Sequence, residues 1–174
     1  MLCVGLASAC GSEEEDAVGP PIPTAEELEE VARKIDEAKG YEIGPIGTMM
    51  WQFGNLGPQQ GTAYLSDGSQ ASVYRKPRSK ATLNDVEFQD IVLYFTDSGR
   101  LRFLEMVRRE STEADCEQAR AQLVKDIGVP MPAGPHRFGW KGKQYRGEMT
   151  WDPDALGSPW CTVRFQAAND VQLL

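Results

Sequence analysis

Four cysteines and a single histidine are the residues of this chain best suited to chemistry. The cysteines stand at positions 3, 10, 116 and 161, which is too far apart for the close ligand pairs of a structural zinc site. His136 has no sequence neighbour that would make it a general acid or base, and we interpret it as a partly solvated residue at the start of a strand. The sequence therefore predicts no metal site and no cofactor.

Motifs of the common hydrolases are also missing from the sequence. The patterns GxSxG and HExxH do not occur, and the glycines between Gly44 and Gly61 lack the spacing of a phosphate-binding loop. Carboxylates remain as catalytic candidates, because any two of the 26 Asp and Glu residues can meet in a folded chain. A cleft with two facing carboxylates would favour a hydrolase, whereas a flat aromatic or basic patch would favour a binding protein.

Residues 1–10, MLCVGLASAC, form a short apolar run that ends in small residues and a cysteine. Ala7, Ser8, Ala9 and Cys10 resemble the lipobox of bacterial lipoproteins, in which a small residue precedes the acylated cysteine. The run departs from an ordinary export signal because no Lys or Arg precedes it and because it is short. The resemblance implies a lipid anchor at Cys10 and a membrane-anchored location in the bacterial cell envelope, on its periplasmic or surface side. The alternative is a disordered N-terminus with an incidental cysteine.

Residues 11–23 are polar, acidic and rich in proline, so we interpret them as a solvated tether. Residues 1–40 contain ten Asp and Glu against three Lys and Arg, whereas residues 41–174 contain sixteen against fifteen. The negative charge therefore belongs to the N-terminal arm and the first helix. A nearly neutral body argues against nucleic acid as a partner, because nucleic-acid-binding proteins normally present a basic field.

The lipoprotein resemblance also has a consequence for the remaining cysteines. If Cys3 is removed with the signal and Cys10 is acylated, only Cys116 and Cys161 are left, one on a predicted helix and one on a predicted strand. Both fall on inward faces, and an exported protein folds in an oxidising compartment. We therefore predict a disulfide bond between them, with two buried thiols as the alternative.

Capping signals predict two helices. Thr24 and Glu27 form a capping box, and the helix that follows ends at Gly40. Thr112 and Asp115 begin a second helix, which ends before Gly128 and Pro130. Their apolar stripes are Leu28, Val31, Ala32 and Ile35, and Cys116, Ala119, Leu123, Val124 and Ile127.

Alternating apolar residues and turn signals predict an antiparallel sheet. We expect strands at 48–53, 62–66, 70–75, 91–95, 101–108, 136–140, 145–151 and 161–167, with a loop at 152–159. Trp51 and Trp151 are expected to pack in the core. The fold class is α+β, with two helices packed on an antiparallel β-sheet in one domain, residues 24–174. A degenerate repeat of a helix followed by three strands is a further hypothesis.

Five residues are candidates for contact with a partner. A basic cluster after the predicted hairpin at 62–75 is either an exposed loop between two hairpins or a contact for phosphate headgroups or an acidic partner. No aromatic residue interleaves the cluster, which disfavours stacking on nucleic acid. Trp160 follows a Gly-Ser-Pro segment and is the tryptophan that we expect to be most exposed. The candidates are Arg75, Lys76, Arg78, Lys80 and Trp160.

The order of helices and strands resembles small periplasmic lipoprotein and inhibitor domains that lay a helix across an antiparallel sheet. Together with the lipobox-like segment, it leads us to expect a non-catalytic, lipid-anchored module that binds another envelope protein or cell-wall material. The alternatives are a hydrolase that uses acidic residues and an inhibitor of a secreted enzyme. An inhibitor would be distinguished by a loop that projects from the sheet edge.

Overall fold

A computed structural model describes residues 23–38, 46–54, 56–64, 68–76 and 80–167. The lipobox-like residues with Cys10, the tether as far as residue 22, and Arg78 lie outside these ranges. The helices are α1 (Ala25–Ala38) and α2 (Glu113–Ile127), with a short 3-10 helix at Met50–Phe53. The strands are β1 (Gln59–Tyr64), β2 (Gln70–Arg75), β3 (Ala81–Leu83), β4 (Val86–Phe88), β5 (Asp90–Thr96), β6 (Leu101–Arg109), β7 (Met131–Gly134), β8 (Arg137–Lys141), β9 (Tyr145–Ala155) and β10 (Ser158–Ala167).

Eight of these strands form one antiparallel sheet in the order β1-β2-β5-β6-β10-β9-β8-β7, and β3 pairs with β4 in a separate hairpin. α1 precedes the first four strands of this sheet in sequence, and α2 precedes the other four. The two groups of strands meet where β6 pairs with β10. The mixed α+β class is confirmed, with strand as the larger part. Each helix is followed by four strands of the main sheet, rather than by the three of the repeat hypothesis.

Both helices pack on the same face of the sheet, together with the β3–β4 hairpin. The hairpin is held to α2 by reciprocal hydrogen bonds, in which Asn84 Nδ2 donates to the Gln118 carbonyl at 3.0 Å and Gln118 Nε2 donates to the Asn84 carbonyl at 2.6 Å. Ile91, Leu93 and Leu104 of the central strands lie fully or almost fully buried beneath these elements. We call this side of the sheet the covered face.

The capping box of α2 and the predicted disulfide are both present. Thr112 Oγ1 accepts a hydrogen bond from the Asp115 amide at 3.1 Å, and the Asp115 carboxylate accepts one from the Thr112 amide at 3.2 Å. Burial opposes ionisation of Asp115, but its bonds with Thr112 and the nearby Arg108 outweigh that effect and lower the pKa of the carboxyl. The Cys116–Cys161 bond, with an S–S distance of 2.09 Å, ties α2 to the central strand β10.

A carboxylate fastens α1 to the sheet at the other end of the covered face. The oxygens of Asp36 accept three backbone hydrogen bonds, from Lys143 at 3.0 Å and from Gln144 and Tyr145 at 2.9 Å each. A Cβ on Gly142 would lie 2.2 Å from Asp36 Oδ1, so this close approach requires glycine. The N-terminal capping box of α1 is also present, since Thr24 and Glu27 exchange hydrogen bonds as predicted.

Four details of the predicted strands are wrong, the first being that the edge strand β7 was not predicted. The predicted strand at 48–53 is largely a 3-10 turn, because the Gln52 side chain accepts a hydrogen bond from the Met49 amide, and Trp51 is 76% exposed rather than packed in the core. The predicted loop at 152–159 is instead a hairpin, whose tight turn places Leu156 and Gly157 at positive φ. The β3–β4 hairpin was missed, although its turn residues Asn84 and Asp85 are of the type that adopts positive φ.

Candidate ligand-binding face of the sheet

The side of the sheet opposite α1 and α2 is the candidate functional surface, and we call it the uncovered face. Alternation along the central strands directs Val92, Phe103 and Val107 to this side. These residues are 8%, 4% and 6% exposed, yet they lie outside the main core cluster. In the described part of the chain no helix packs over them, and side chains of adjacent strands of the sheet lie beside them.

One polar ladder, which we call the central ladder, crosses five adjacent strands of the uncovered face. Tyr94 Oη donates to Glu105 at 3.3 Å, and Arg164 Nε donates to the other oxygen of Glu105 at 2.9 Å. Arg164 also approaches Glu148 at 3.8 Å, and Arg137 donates to Glu148 at 2.7 Å. Arg164 stands directly opposite both Glu105 and Glu148, which is the favourable arrangement for cross-strand pairs, whereas Tyr94 and Arg137 reach these carboxylates diagonally.

The central ladder raises the pKa of the groups at its two ends, Tyr94 and Arg137. Burial and the charge of Glu105 raise the pKa of the Tyr94 hydroxyl well above its usual value, so this tyrosine stays protonated and acts as a donor. The hydrogen bond to Glu148 raises the pKa of Arg137 and keeps the guanidinium charged. Arg164 contacts both Glu105 and Glu148, so both carboxylates are engaged in ion pairs within the sheet.

A second ladder crosses the opposite end of the uncovered face and contains two of the residues predicted for partner contact. Arg75 lies 3.2 Å from Asp90, and Asp90 accepts a hydrogen bond from Arg109 at 2.7 Å. The guanidinium of Arg109 lies over the ring of Trp160, 4.9 Å from the ring centroid. Trp160 is therefore half-buried beneath a cation, and its indole nitrogen donates to Ser158 at 2.9 Å. The expectation that it is the most exposed tryptophan is wrong, because Trp51 is 76% exposed.

The other predicted contact residues do not join this ladder. Lys80 is bonded to Glu87 of the small hairpin at 2.8 Å, and the backbone of Lys76 donates to Ile91. Arg78 lies outside the described residues. The function of these cations in partner contact stays a prediction.

A recess of about 510 Å³ opens on the uncovered face over β8, β9 and β10. Gly139 stands at the register position beside Glu148 and presents no side chain there, which leaves the floor of the recess open. Phe103 and Gln166 line the far wall, and Met131 lies at the rim. The charged lining consists of four cations and one carboxylate, giving an excess of three positive charges: Arg137, Lys141, Arg146, Arg164 and Glu148.

Two of these cations face each other without a counter-charge. Lys141 and Arg146 are directly opposed across the β8–β9 pair, and no described carboxylate forms an ion pair with either. The Nε of Arg146 is shielded from solvent and has no hydrogen-bond partner. Because like charges opposite each other destabilise a sheet, this arrangement costs stability in the empty recess. A carboxylate or phosphate placed between the two would remove that cost.

A larger space of about 1150 Å³ borders α1, but its charged groups do not converge on a ligand. Arg33 pairs with Glu30 and Glu37 along the helix, and Asp36 is occupied by the backbone of the β8–β9 turn. We therefore take the recess on the uncovered face, rather than this larger space, as the candidate site.

His136 has a partner that the sequence did not reveal. Its Nδ1 lies 2.9 Å from Glu113 of α2, and its ring meets Trp151 edge to face with 4.9 Å between centroids. Both polar side chains are largely exposed, and the adjoining cavity is only about 10 Å³. Cys116 lines that cavity, but its sulfur is already in the disulfide. The pair anchors the β7–β8 turn to α2 and offers no nucleophile.

The residues of the recess were not singled out from the sequence. Alternation along the predicted strands 145–151 and 161–167 is enough to place Arg146 and Glu148 on one face of their strand and Arg164 on the face opposite Cys161. What was missing is the strand order, because only the adjacency of β8, β9 and β10 brings these residues together.

In the described ranges no group of three or more His, Cys, Asp or Glu side chains could hold a metal ion. The helices described here are too short or too polar to cross a membrane. No protein-family model, curated protein or solved structure matches this chain. The candidate site consequently depends on the geometry of the chain alone.

Proposed function

We propose that this protein is a non-catalytic, lipid-anchored module of the bacterial cell envelope that binds another envelope protein or cell-wall component. The observation that carries the proposal is the uncovered face, which presents one side of an eight-stranded sheet with a recess of excess positive charge. Phe103 offers an apolar wall and Gln166 an amide beside the cations. Such a mixture of groups suits recognition of an acidic ligand.

The same geometry favours binding over hydrolysis. An acid hydrolase needs two carboxylates that converge on a shared substrate position. On the uncovered face Glu105 and Glu148 flank Arg164 and are both engaged by it. Of these two, only Glu148 lines the recess, among four cations.

Inhibition of a secreted enzyme is the second candidate function, and one observation favours it. The β9–β10 hairpin ends in a tight turn whose Leu156 is 90% exposed, at the tip of two long strands. An exposed leucine at a projecting turn is a suitable anchor for a partner's pocket. A Leu156→Ala variant that loses binding while recess variants keep it would favour this candidate.

The lipid anchor rests on the sequence alone. Ala7 to Cys10 lie outside the described residues, and the tether after them suits a domain held at a distance from a membrane. The cross-link between Cys116 and Cys161 is consistent with folding in an oxidising compartment. The matching order of one helix and four strands in each half also supports, as a proposal, an internal duplication.

Intact mass of the protein from native membranes tests the anchor. We expect a chain that begins at Cys10 and carries a diacylglyceryl group, with two hydrogens gained on reduction. A Cys10→Ala variant should be recovered without lipid and serves as the control. An unmodified wild-type chain would overturn the lipoprotein assignment.

Site-specific photo-crosslinking in intact cells tests the binding face. A photoreactive residue at Gln166 lies in the recess, whereas one at Gln122 lies on α2 and serves as the matched control. We expect a defined adduct from position 166 and none from position 122. Equal adducts from both positions, or none from either, would contradict the assignment of the uncovered face.

A further inference from the structure

We infer that the recess binds a short acidic polypeptide segment and that its occupant is the chain's own Glu13–Asp16. The inference rests on the proposed function, because it names what fills the same site. It differs from the idea of a purely solvated tether, since it gives the acidic arm a place on the folded domain.

Charge complementarity is the first argument. The recess has an excess of three positive charges, and Lys141 and Arg146 lack a described counter-ion. Residues 13–16 are four consecutive carboxylates, Glu-Glu-Glu-Asp, in the most acidic part of the chain. Guanidinium and ammonium groups form their strongest hydrogen bonds with carboxylates, so these acids would supply the counter-charge that the two cations lack.

Position is the second argument. Leu28, in the first turns of α1, lines a cavity of about 160 Å³ together with Met131, Gly139 and Lys141. Those three residues also line the recess, so α1 begins at the same edge of the sheet. The start of the helix at Ala25 lies three residues before Leu28, which corresponds to about 5 Å of helix. The arm therefore enters the domain next to the recess.

Chain length is the third argument. Eight residues lead from Asp16 to Thr24. At a maximum of about 3.5 Å per residue they span up to about 28 Å, which is enough to pass around the short edge strand β7. The arm can thus reach the uncovered face without any change in α1. A segment so close in sequence has an effective concentration of the order of millimolar, so weak pairing suffices for occupancy.

Zero-length carbodiimide coupling of the full chain tests the inference, because it joins a lysine to a carboxylate only when the two are in contact. We expect peptide mapping to find Lys141 joined within the same molecule to one of residues 13–16. Lys125, on the last turn of α2 at the covered face, is the comparison lysine and should remain unjoined to these residues. Raising the salt from about 0.1 M to about 1 M shortens the Debye length from about 10 Å to about 3 Å and should suppress the product.

Variants separate the recess from other causes. Arg146→Gln keeps Lys141 reactive and should lower the yield of this product about fivefold, as expected for one lost ion pair. Arg109→Gln, on the same face but outside the recess, is the matched control and should leave the yield unchanged. Circular dichroism of each variant establishes that the sheet is intact.

A competition measurement supplies an independent readout. In a chain with Glu13, Glu14 and Glu15 changed to Gln and Asp16 changed to Asn, a labelled peptide of residues 11–17 should bind about tenfold more tightly than to the wild type, because the arm no longer competes. Equal binding to the two chains would overturn the inference. A coupling product between two molecules would assign the recess to a second copy instead, and the absence of any Lys141 product would exclude the arm. These negative outcomes concern the occupant alone, since the proposed function is tested separately by an adduct between position 166 and another molecule.

Discussion

The two faces of the sheet stabilise the same strands in different ways. On the covered face, Leu93, Leu104 and Val163 are fully buried beneath helices and the small hairpin. On the uncovered face, apolar side chains such as Phe103 are buried mainly beneath the polar ladders. The covered face is stabilised by apolar packing, whereas the uncovered face is stabilised by cross-strand ion pairs and keeps two opposed cations, Lys141 and Arg146, without a described counter-charge. This difference separates the structural half of the molecule from its candidate binding half.

The largest effect should come from the cross-link on the covered face. Replacing both Cys116 and Cys161 by Ala removes a bridge across a sequence separation of 45 residues. In the chain-entropy description the free energy of unfolding should fall by about 4 kcal/mol. Urea unfolding followed by circular dichroism measures the loss, and reduction of the wild-type protein should reproduce it. A loss below about 1 kcal/mol would mean that helix packing alone fixes α2.

A matched pair of valines compares the two faces directly. Val163 of β10 faces the helices, and Val107 of β6 faces the ladders. Val163→Ala should cost about 2–3 kcal/mol of unfolding free energy because a rigid cavity remains. Val107→Ala should cost about 1 kcal/mol because the surrounding charged side chains can move inward.

The contrast between these valines is measured by urea unfolding of both variants under the same conditions. Equal losses would break the comparison, since they would show that the uncovered face is packed as tightly as the covered one. In that case a further part of the chain would have to lie over the ladders.

The attachment of α1 is the next largest expected effect. Asp36→Ala removes the acceptor of three backbone hydrogen bonds and should lower the unfolding free energy by about 2 kcal/mol. Hydrogen exchange of the Lys143, Gln144 and Tyr145 amides should accelerate in parallel. Glu37→Ala is the control, since this exposed carboxylate pairs with Arg33 alone among the described residues, and it should cost less than about 0.5 kcal/mol.

The parts of the fold that the sequence predicted are those encoded by neighbouring residues. The capping boxes at Thr24 and Thr112 need contacts only three residues apart, and both are present. The strands from 91 to 108 and from 136 to 151 follow from alternation and turn residues. The prediction of a loop at 152–159 was wrong because a proline usually excludes a strand. Here Pro153 lies at a register irregularity of β9, and a strand tolerates proline at such a position.

The candidate site was beyond such reasoning because it depends on which strands are neighbours. Arg164 and Glu105 are directly opposed only because β10, the last strand, inserts beside β6 instead of extending the edge. Local pattern cannot specify that choice, since β6 and β10 lie more than 45 residues apart in sequence. The disulfide was predictable without knowledge of the strand order. Once Cys3 and Cys10 were assigned to the lipobox-like segment, only Cys116 and Cys161 remained, and both fell on inward faces.

The smallest expected effect comes from the opposed cations of the recess, Lys141 and Arg146. Here the informative result is whether the unfolding free energy rises or falls. In a chain whose Glu13–Asp16 carboxylates are neutralised, Lys141→Glu should raise the unfolding free energy by about 0.5–1 kcal/mol at low salt. The new carboxylate lies directly opposite Arg146 and converts a repulsive pair into an attractive one. Lys141→Gln, which removes the repulsion without adding attraction, should give about half of that gain.

Lys141→Glu in a chain that keeps the natural Glu13–Asp16 separates two explanations for the opposed cations. If the arm neutralises them, Lys141→Glu removes an attraction as it relieves the repulsion, so its gain should be smaller than in the neutralised chain. The difference between the two backgrounds is the coupling energy of a double-mutant cycle and is measured by urea unfolding at low and high salt. A gain of the same size in both backgrounds would mean that the arm and the recess are independent. The repulsion would then be retained for a ligand from another molecule, at a standing cost to the stability of the uncovered face.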